Sequence, residues 1–310
     1  MLVPDARDSY TSATQPGSLE VLSQEIDVDN LEGHYRIKIG DGAVRYLTVA
    51  PNVYQDSDTM ANPRLFLPSL PPLPPPNTWT TMEIFRKDGS SDGPIETRTS
   101  SAALPSRVPV WHDDLVDVLS LPRIGYCGPR TKEVLYRGRP AIAKIARFPW
   151  EIGYVETETL AYLDVQQALE KDEVRGDGEI EEQQRREPQG GQRLPTITPR
   201  FLGHLTENGR VMGFLLEKVE GTYAGIDDLR ECAAALKRLH AMGIVHGDVN
   251  RHNFIVGHGG GEGEEGIEKR VWMLDLEHAD LYSKQSAQRE LDSLEAELRE
   301  ETGRGRKGGN

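Results

Sequence analysis

Eight residues, HGDVNRHN at positions 246–253, place an acid, two asparagines, an arginine and two histidines between two apolar segments. Asp248 could orient or deprotonate an attacking hydroxyl group. Asn253 offers an amide oxygen, a hard neutral ligand that suits Mg²⁺. Asp275 follows the next apolar stretch, RVWML, and would meet Asn253 if the two flanking strands pair as a hairpin. The pattern predicts a metal site beside a catalytic carboxylate.

A lysine in an upstream apolar strand could complete a nucleotide site. Lys144 lies in the middle of AIAKIA, and a lysine buried among apolar neighbours requires an anionic partner. The helix predicted after this strand supplies two glutamates, Glu156 and Glu158. A lysine for phosphates, a carboxylate and an amide for a metal ion, and a second carboxylate for an acceptor hydroxyl are the parts that phosphoryl transfer needs.

A small β-rich region is predicted at residues 19–105, after a disordered start at residues 1–18. The alternating segments HYRIKI and VRYLTV flank the turn sequence GDGA and predict a hairpin. Two more strands are predicted around KDGSSDG. The Pro-rich segment at residues 62–79 is expected to be extended and not helical. We interpret it as a stiff connector rather than as a PxxP ligand for a proline-binding module.

Strands and helices are both predicted from about residue 110 onwards. A hairpin turning at ENG is followed by an amphipathic helix, DDLRECAAALKRLHAMG, that ends at Gly243 and leads into the loop with Asp248. Exposed or disordered insertions are expected at residues 171–193 and 257–269. A last charged helix in residues 284–310 is expected to be solvated rather than paired with a partner helix, and to precede a flexible tail.

The overall composition restricts the partners. The chain has 50 acidic and 36 basic side chains, a formal charge of −14, which argues against nonspecific nucleic-acid binding. No apolar run reaches the roughly 18 residues of a membrane span, and the N-terminus lacks the pattern of a signal peptide. Two cysteines without metal-site or disulfide spacing favour a reduced compartment. We therefore expect a cytoplasmic protein with no membrane or nucleic-acid partner, although a nuclear location is compatible.

Residues 120–283 resemble a protein-kinase-like fold. HGDVNRHN resembles the His-x-Asp-x-x-x-x-Asn catalytic loop, in the His-Gly-Asp form of aminoglycoside-phosphotransferase-like and minimal atypical kinases. AIAKIA is similar to the lysine strand, ETETLAYL to the helix with the partner glutamate, and FLLEKVEG to the hinge, while DLE stands where Asp-Phe-Gly is usual. The layout resembles a group of fungal kinase-like proteins, some with glycosidase-type names. No carboxylate pair on a barrel pattern supports glycoside hydrolysis.

The resemblance implies an α+β, bilobal kinase domain at residues 110–283 with ATP and Mg²⁺ as cofactors. It also implies a role for each matching residue. These are Asp248 as catalytic base or acceptor-orienting group, Asn253 and Asp275 as Mg²⁺ ligands, Lys144 on the phosphates with Glu158 favoured over Glu156 as its partner, Glu217 and Val219 as backbone contacts of adenine, and His246 as a packing residue.

Departures from the kinase pattern leave two function classes open. No Gly-x-Gly-x-x-Gly precedes Lys144, Asn250 stands where protein kinases usually have lysine, and Glu277 replaces the motif glycine. Only 35 residues follow Asp275, so the C-terminal lobe is expected to be reduced and a protein partner could complete it. One class is an active atypical kinase whose acceptor is a protein or small-molecule hydroxyl. The other is a pseudokinase that binds partners without transferring phosphate.

Overall fold

A computed structural model describes residues 18–89, 92–105, 107–178, 196–258 and 269–303. The chain divides into two compact units, residues 1–104 and residues 105–310. Four predicted features lie mostly or partly outside the described residues: the disordered start at 1–18, the insertions at 171–193 and 257–269, and the flexible tail.

The first unit is built on a five-stranded sheet whose order follows the chain. Its strands are β1 (Leu19–Asp27), β2 (Glu32–Ile39), β3 (Ala43–Val49), β4 (Thr81–Arg86) and β5 (Ile95–Ser100). The β2–β3 and β4–β5 pairs are antiparallel, which confirms both predicted hairpin pairings, whereas β3 and β4 run parallel. Alternation along β2 and β3 buries one face, so the apolar pattern positions the sheet over its core.

The Pro-rich segment is partly helical, and the prediction that it contains no helix is wrong. One α-helix, α2 (Pro63–Ser69), lies within residues 62–79, and another, α1 (Ser57–Ala61), ends just before them. The Asn62 side chain caps α2, and Pro63 occupies a position where its missing N–H costs no hydrogen bond. Phe66 is fully buried on α2 and its ring lies 3.8 Å from that of Tyr35. Burial of this ring therefore stabilises a helix that the proline content disfavours.

The second unit contains a six-stranded sheet with the order β6-β10-β11-β9-β8-β7. Its strands are β6 (Leu115–Asp117), β7 (Arg123–Tyr126), β8 (Thr131–Tyr136), β9 (Arg139–Ile145), β10 (Phe201–Glu207) and β11 (Arg210–Glu217). The predicted hairpin at ENG is confirmed, because β10 and β11 are antiparallel around Asn208 and Gly209, both with positive φ. The predicted lysine strand is β9, and Lys144 on it pairs with Thr131 and Phe214 on the neighbouring strands.

Two predicted helices pack beside this sheet. α3 (Ile152–Gly178) continues through the first eight residues of the predicted insertion at 171–193, so that part is helical. α4 (Leu229–Ala241) buries an apolar stripe that includes Leu236 and Leu239, and it is followed by Gly243 with φ +89°. In the described parts of the chain, no helix is both long enough and apolar enough to cross a membrane.

A smaller three-stranded sheet, β12-β14-β15, and the short pair β13–β16 follow α4. Their bounds are β12 (Thr222–Tyr223), β13 (Ile244–Val245), β14 (Phe254–His258), β15 (Lys269–Met273) and β16 (Asp280–Leu281). The last helix, α5 (Lys284–Arg299), is not simply solvated as predicted. Leu294 and Leu298 are buried in the same core as Leu236 and Phe254. With Ala287 they form three buried apolar positions at helical spacing, which suffice to pack one face of α5 against the core.

Candidate functional site

A cavity of about 400 Å³ lies in the second unit, between the six-stranded sheet and the β14–β15 hairpin. Its size is in the range that binds small molecules. Its wall is formed in part by strand β9, helix α3, the end of β11 and the β14–β15 hairpin. The lining residues are Tyr126, Cys127, Thr131, Ile142, Lys144, Glu158, Pro199, Leu216, Glu217, Lys218, Val219, Tyr223, His252, Asn253, Ile255, Leu274 and Asp275.

Lys144 is the centre of a buried ion cluster in this cavity. Its Nζ donates to a carboxylate oxygen of Glu158 on α3 and to Asp275 Oδ1 at 2.6 Å. Burial lowers the pKa of Lys144, but the two carboxylates outweigh burial and hold its pKa above the ordinary value, so the lysine is charged. Glu156, the alternative partner, is only half-buried on α3. The structure therefore places Glu158, not Glu156, against Lys144.

Asp275 and Asn253 meet at one end of the β14–β15 hairpin. Phe254 pairs with Met273, so the residues flanking that pair, Asn253 and Leu274, are neighbours, and the Leu274 N–H donates to the Asn253 carbonyl at 2.8 Å. This is the pairing that the sequence predicted. Asp275 has φ +63°, a left-handed conformation that a non-glycine residue adopts only where its surroundings hold it. Its ion pair with Lys144 is one such contact.

Asp248 accepts hydrogen bonds from two amide side chains. Asn250 Nδ2 and Asn253 Nδ2 each donate to Asp248 Oδ2 at 3.1 Å, and Asn253 Nδ2 also donates to the Asp248 carbonyl at 2.8 Å. These contacts orient the carboxylate and leave the Asn253 amide oxygen as the atom of that side chain suited to a metal ion. Asp248 is half-buried and lies beside the cavity rather than in its wall.

His246 packs under this loop. It is fully buried, and burial lowers its pKa, so the imidazole is neutral. Nε2–H donates to the Leu274 carbonyl at 2.9 Å, and Nδ1 accepts from the Asp248 N–H at 3.4 Å. One neutral tautomer satisfies both contacts. His246 thereby ties the loop before Asp248 to the strand before Asp275.

The segment after β11 forms one wall of the cavity, where adenine contacts were expected. Glu217 and Val219 both line the cavity. The Glu217 N–H already donates to the Arg200 carbonyl at 2.9 Å, so it cannot also donate to a ligand. The Glu217 carbonyl and the backbone of Val219 remain predicted contacts of adenine.

Two acidic residues with contacts at the site were missed from the sequence. Glu277 was noted only as a replacement for the motif glycine, yet one carboxylate oxygen each from Glu158, Asp275 and Glu277 lie within 4.8 Å of one another. Carboxylates with the Asn253 amide form an all-oxygen set, which fits Mg²⁺. The Asp-x-Glu spacing of Asp275 and Glu277 was the signal in the sequence that could have identified this carboxylate. Arg130, in the turn before β8, contacts both Glu277 oxygens, at 2.7 and 3.0 Å.

Glu290, on α5, is the second missed residue. Its Oε1 accepts from the Gly247 N–H and its Oε2 contacts His240 Nε2, both at 2.6 Å. Gly247 immediately precedes Asp248, has φ +80°, and leaves no space for a Cβ, which would lie 1.9 Å from the His278 carbonyl oxygen. The helix predicted to be solvated therefore holds the loop that carries Asp248. The signal was the position of Glu290 on the same helical face as Ala287 and Leu294.

The chain was compared with protein families, curated sequences and solved structures. Residues 223–304, about a quarter of the chain, match the sequence profile of the lipopolysaccharide kinase (Kdo/WaaP) family, which supports a protein-kinase-like superfamily. A solved structure described as "Crystal structure of Rad53 kinase domain and SCD2" is 16% identical, with a TM-score of 0.29. The alignment spans about half of each chain, 53% in both. No curated protein sequence matches the chain.

Proposed function

We propose that residues 105–310 form a reduced, bilobal kinase-like phosphotransferase, which transfers the γ-phosphoryl group of Mg·ATP to a hydroxyl acceptor. One observation carries the proposal: Lys144 on β9 contacts Glu158 on α3 and Asp275 after β15, so three separate elements meet there. Asn253 in turn connects the Asp275 hairpin to Asp248. The match to a kinase family over residues 223–304 includes Asp248, Asn253 and Asp275 and supports this assignment. The same match makes ATP the expected donor.

Each residue of the constellation has a role that follows from its position. Lys144 would bind donor phosphates, and Glu158 would hold its ammonium group in place at the cavity wall. Asn253 and Asp275 would hold Mg²⁺, which when bound neutralises phosphate charge. Glu217, through its carbonyl, and Val219 would offer backbone groups to the adenine, since both line the cavity at the end of β11.

Asp248 would orient the acceptor hydroxyl. Its Oδ2 is committed to Asn250 and Asn253, and among the described residues its Oδ1 accepts no hydrogen bond. The acceptor hydroxyl would donate to Oδ1, so that its oxygen attacks the γ-phosphorus as the bond to the leaving β–γ bridging oxygen breaks. The hydroxyl proton passes to Asp248, and ADP leaves.

The acceptor is a hydroxyl of a small molecule or of a protein side chain. The matched family is named for a lipopolysaccharide kinase activity, which makes a non-peptide hydroxyl the first class to test.

Nucleotide binding and transfer test the proposal separately. Thermal unfolding should show an upward shift with ATP that requires Mg²⁺ and is lost in Asp275→Ala, since a ligand at about 1,000 times its Kd adds about 4 kcal/mol of stability. With labelled ATP and a panel of acceptors, Asp248→Asn should lower the transfer rate about 10²–10⁴-fold and preserve the shift. Asp280→Asn, an exposed carboxylate near the site, is the matched control.

Three outcomes are informative. A shift that responds to Mg²⁺ and to Asp275, with transfer that responds to Asp248, supports the enzyme. A shift without transfer to any acceptor supports the pseudokinase. No shift under any condition contradicts a nucleotide site in this cavity.

A further inference from the structure

The turn between β7 and β8 covers the cavity where kinases usually place a glycine loop. Here the turn is closed by backbone hydrogen bonds, Cys127 N–H to the Thr131 carbonyl and Thr131 N–H to the Gly128 carbonyl. Gly128 is the one glycine between Cys127 and Thr131. Cys127 and Thr131 therefore use their N–H groups within the turn, and Pro129 has none. Within residues 127–131 only the Gly128 and Arg130 N–H groups remain to contact phosphates, fewer than a glycine loop offers.

We propose that Arg130 is the phosphate-binding cation that replaces the glycine loop, and that the Glu277 carboxylate, which accepts from Arg130 Nη2, competes with the phosphates for this guanidinium. The inference rests on the proposed nucleotide-dependent function, and it names the residue that recognises the polyphosphate.

Arg130 lies beside the cavity, next to residues that line it. It immediately precedes Thr131, which lines the cavity and pairs with Lys144 across the sheet. Its backbone carbonyl accepts from the Ile145 N–H at 2.9 Å, so the start of the side chain is anchored to β9. The guanidinium lies 4.9 Å from the ring centre of Tyr154, which supports its plane.

The contacts of Arg130 leave donors for a ligand. Nη2 donates to both oxygens of Glu277, and among the described residues Nε and Nη1 make no hydrogen bond. The side chain is 22% exposed, compared with 10% for that of Glu277. A guanidinium has five N–H donors in a plane that matches phosphate oxygens, so three of them can meet a phosphate.

The balance of charges around Glu277 disfavours the binding of phosphates. Glu158, Asp275 and Glu277 carry three negative charges at this point, and Lys144 and Arg130 carry two positive ones. A polyphosphate brought here without a cation would meet an excess of carboxylates. Replacing Glu277 with a neutral side chain would remove one of these negative charges and leave the whole guanidinium free to contact the phosphates.

The experiment measures binding of ADP and of adenosine to the full chain by calorimetry, with EDTA and with Mg²⁺. The ratio of the two affinities isolates the phosphate contacts from the adenine contacts. In EDTA, Glu277→Gln should strengthen ADP binding about tenfold, because Arg130 is released and a like charge is removed. With Mg²⁺, Arg130→Gln should weaken ADP binding about tenfold. Neither change should alter adenosine binding.

The double variant and a matched pair sharpen the result. In Arg130→Gln/Glu277→Gln, the increase in ADP affinity in EDTA should be well below the increase in Glu277→Gln alone, because the Arg130 guanidinium is absent. Arg137→Gln/Asp114→Asn removes another arginine–carboxylate pair, 2.9 Å apart, and should change neither affinity. Weaker ADP binding in Glu277→Gln, or an ADP-to-adenosine ratio unaffected by Arg130→Gln, overturns the inference. Wild-type protein that binds neither ligand instead overturns the proposed function on which it rests.

Discussion

Replacing Lys144 with methionine should destabilise the second unit through electrostatics alone, because methionine is of similar length and carries no charge. Glu158 and Asp275 are 1% and 7% exposed, so without the lysine they become buried carboxylates that face each other. Removing one partner of a buried ion pair costs about 3–5 kcal/mol. For a unit of this size, residues 105–310, that cost corresponds to a fall in Tm of about 6–20 °C.

Calorimetry on a small set of variants tests the reasoning. Glu158→Gln should cost less, since Lys144 keeps its contact with Asp275 at 2.6 Å. The double variant Lys144→Met/Glu158→Gln should recover part of the loss, because only one uncompensated carboxylate is left. Lys218→Met removes an ion pair of the same 2.6 Å length whose lysine is 39% exposed, and it should cost less than about 1 kcal/mol.

Two results would refute this account. A Lys144→Met protein that melts within about 2 °C of wild type would mean that the carboxylates do not depend on the lysine for their charge compensation. A double variant that is less stable than either single variant would mean that the lysine and Glu158 contribute through packing and not through their charges.

Two further predictions concern residues outside the cavity. Glu290→Leu should lower the transfer rate about tenfold or more with little change in ATP affinity, because the Gly247 N–H loses its acceptor next to Asp248. Glu290→Gln keeps an acceptor oxygen and should restore most of the rate. Glu295→Gln, on the exposed face of α5, is the control and should change neither quantity. An equal loss in Glu290→Leu and Glu290→Gln would contradict the role of that hydrogen bond. Burial and the neighbouring His112 lower the pKa of His204 from 6.5 to about 4, so its contribution to stability is full above pH 6.5 and is lost as the pH falls through about 4. That contribution, about 3 kcal/mol, should be absent from the pH dependence of Tm in His204→Gln; identical Tm profiles in the two proteins would contradict it.

The short C-terminal part of the second unit is stabilised by its own last helix. Leu294 and Leu298 complete the core, and Glu290 holds the loop before Asp248. The Arg251 side chain also donates to the Glu300 carbonyl at 3.1 Å, just past the end of α5. The sequence suggested that a protein partner could complete the reduced C-terminal lobe. These contacts show that α5 supplies part of that packing within the chain itself.

Local patterns were sufficient for the elements that carry the site. An apolar strand with a central lysine, a hairpin flanked by Asn253 and Asp275, and an amphipathic helix that ends shortly before Gly243 were all predicted and observed. Each depends on alternation, helical spacing or a turn residue, which act over a few residues of backbone. The same rules failed for α2 and for the packing of α5, where burial of Phe66, Leu294 and Leu298 outweighs composition.

The sequence by itself determined which residues could do the chemistry, since Lys144, Asp248, Asn253 and Asp275 have types and spacings that suit phosphoryl transfer. Only the tertiary structure decided their partners. It placed Glu158, which the kinase resemblance had favoured over Glu156, on the lysine, and it brought Arg130 to Glu277 across 147 residues of chain. Such contacts depend on how sheets and helices pack, and periodicity within a single element carries no information about that packing.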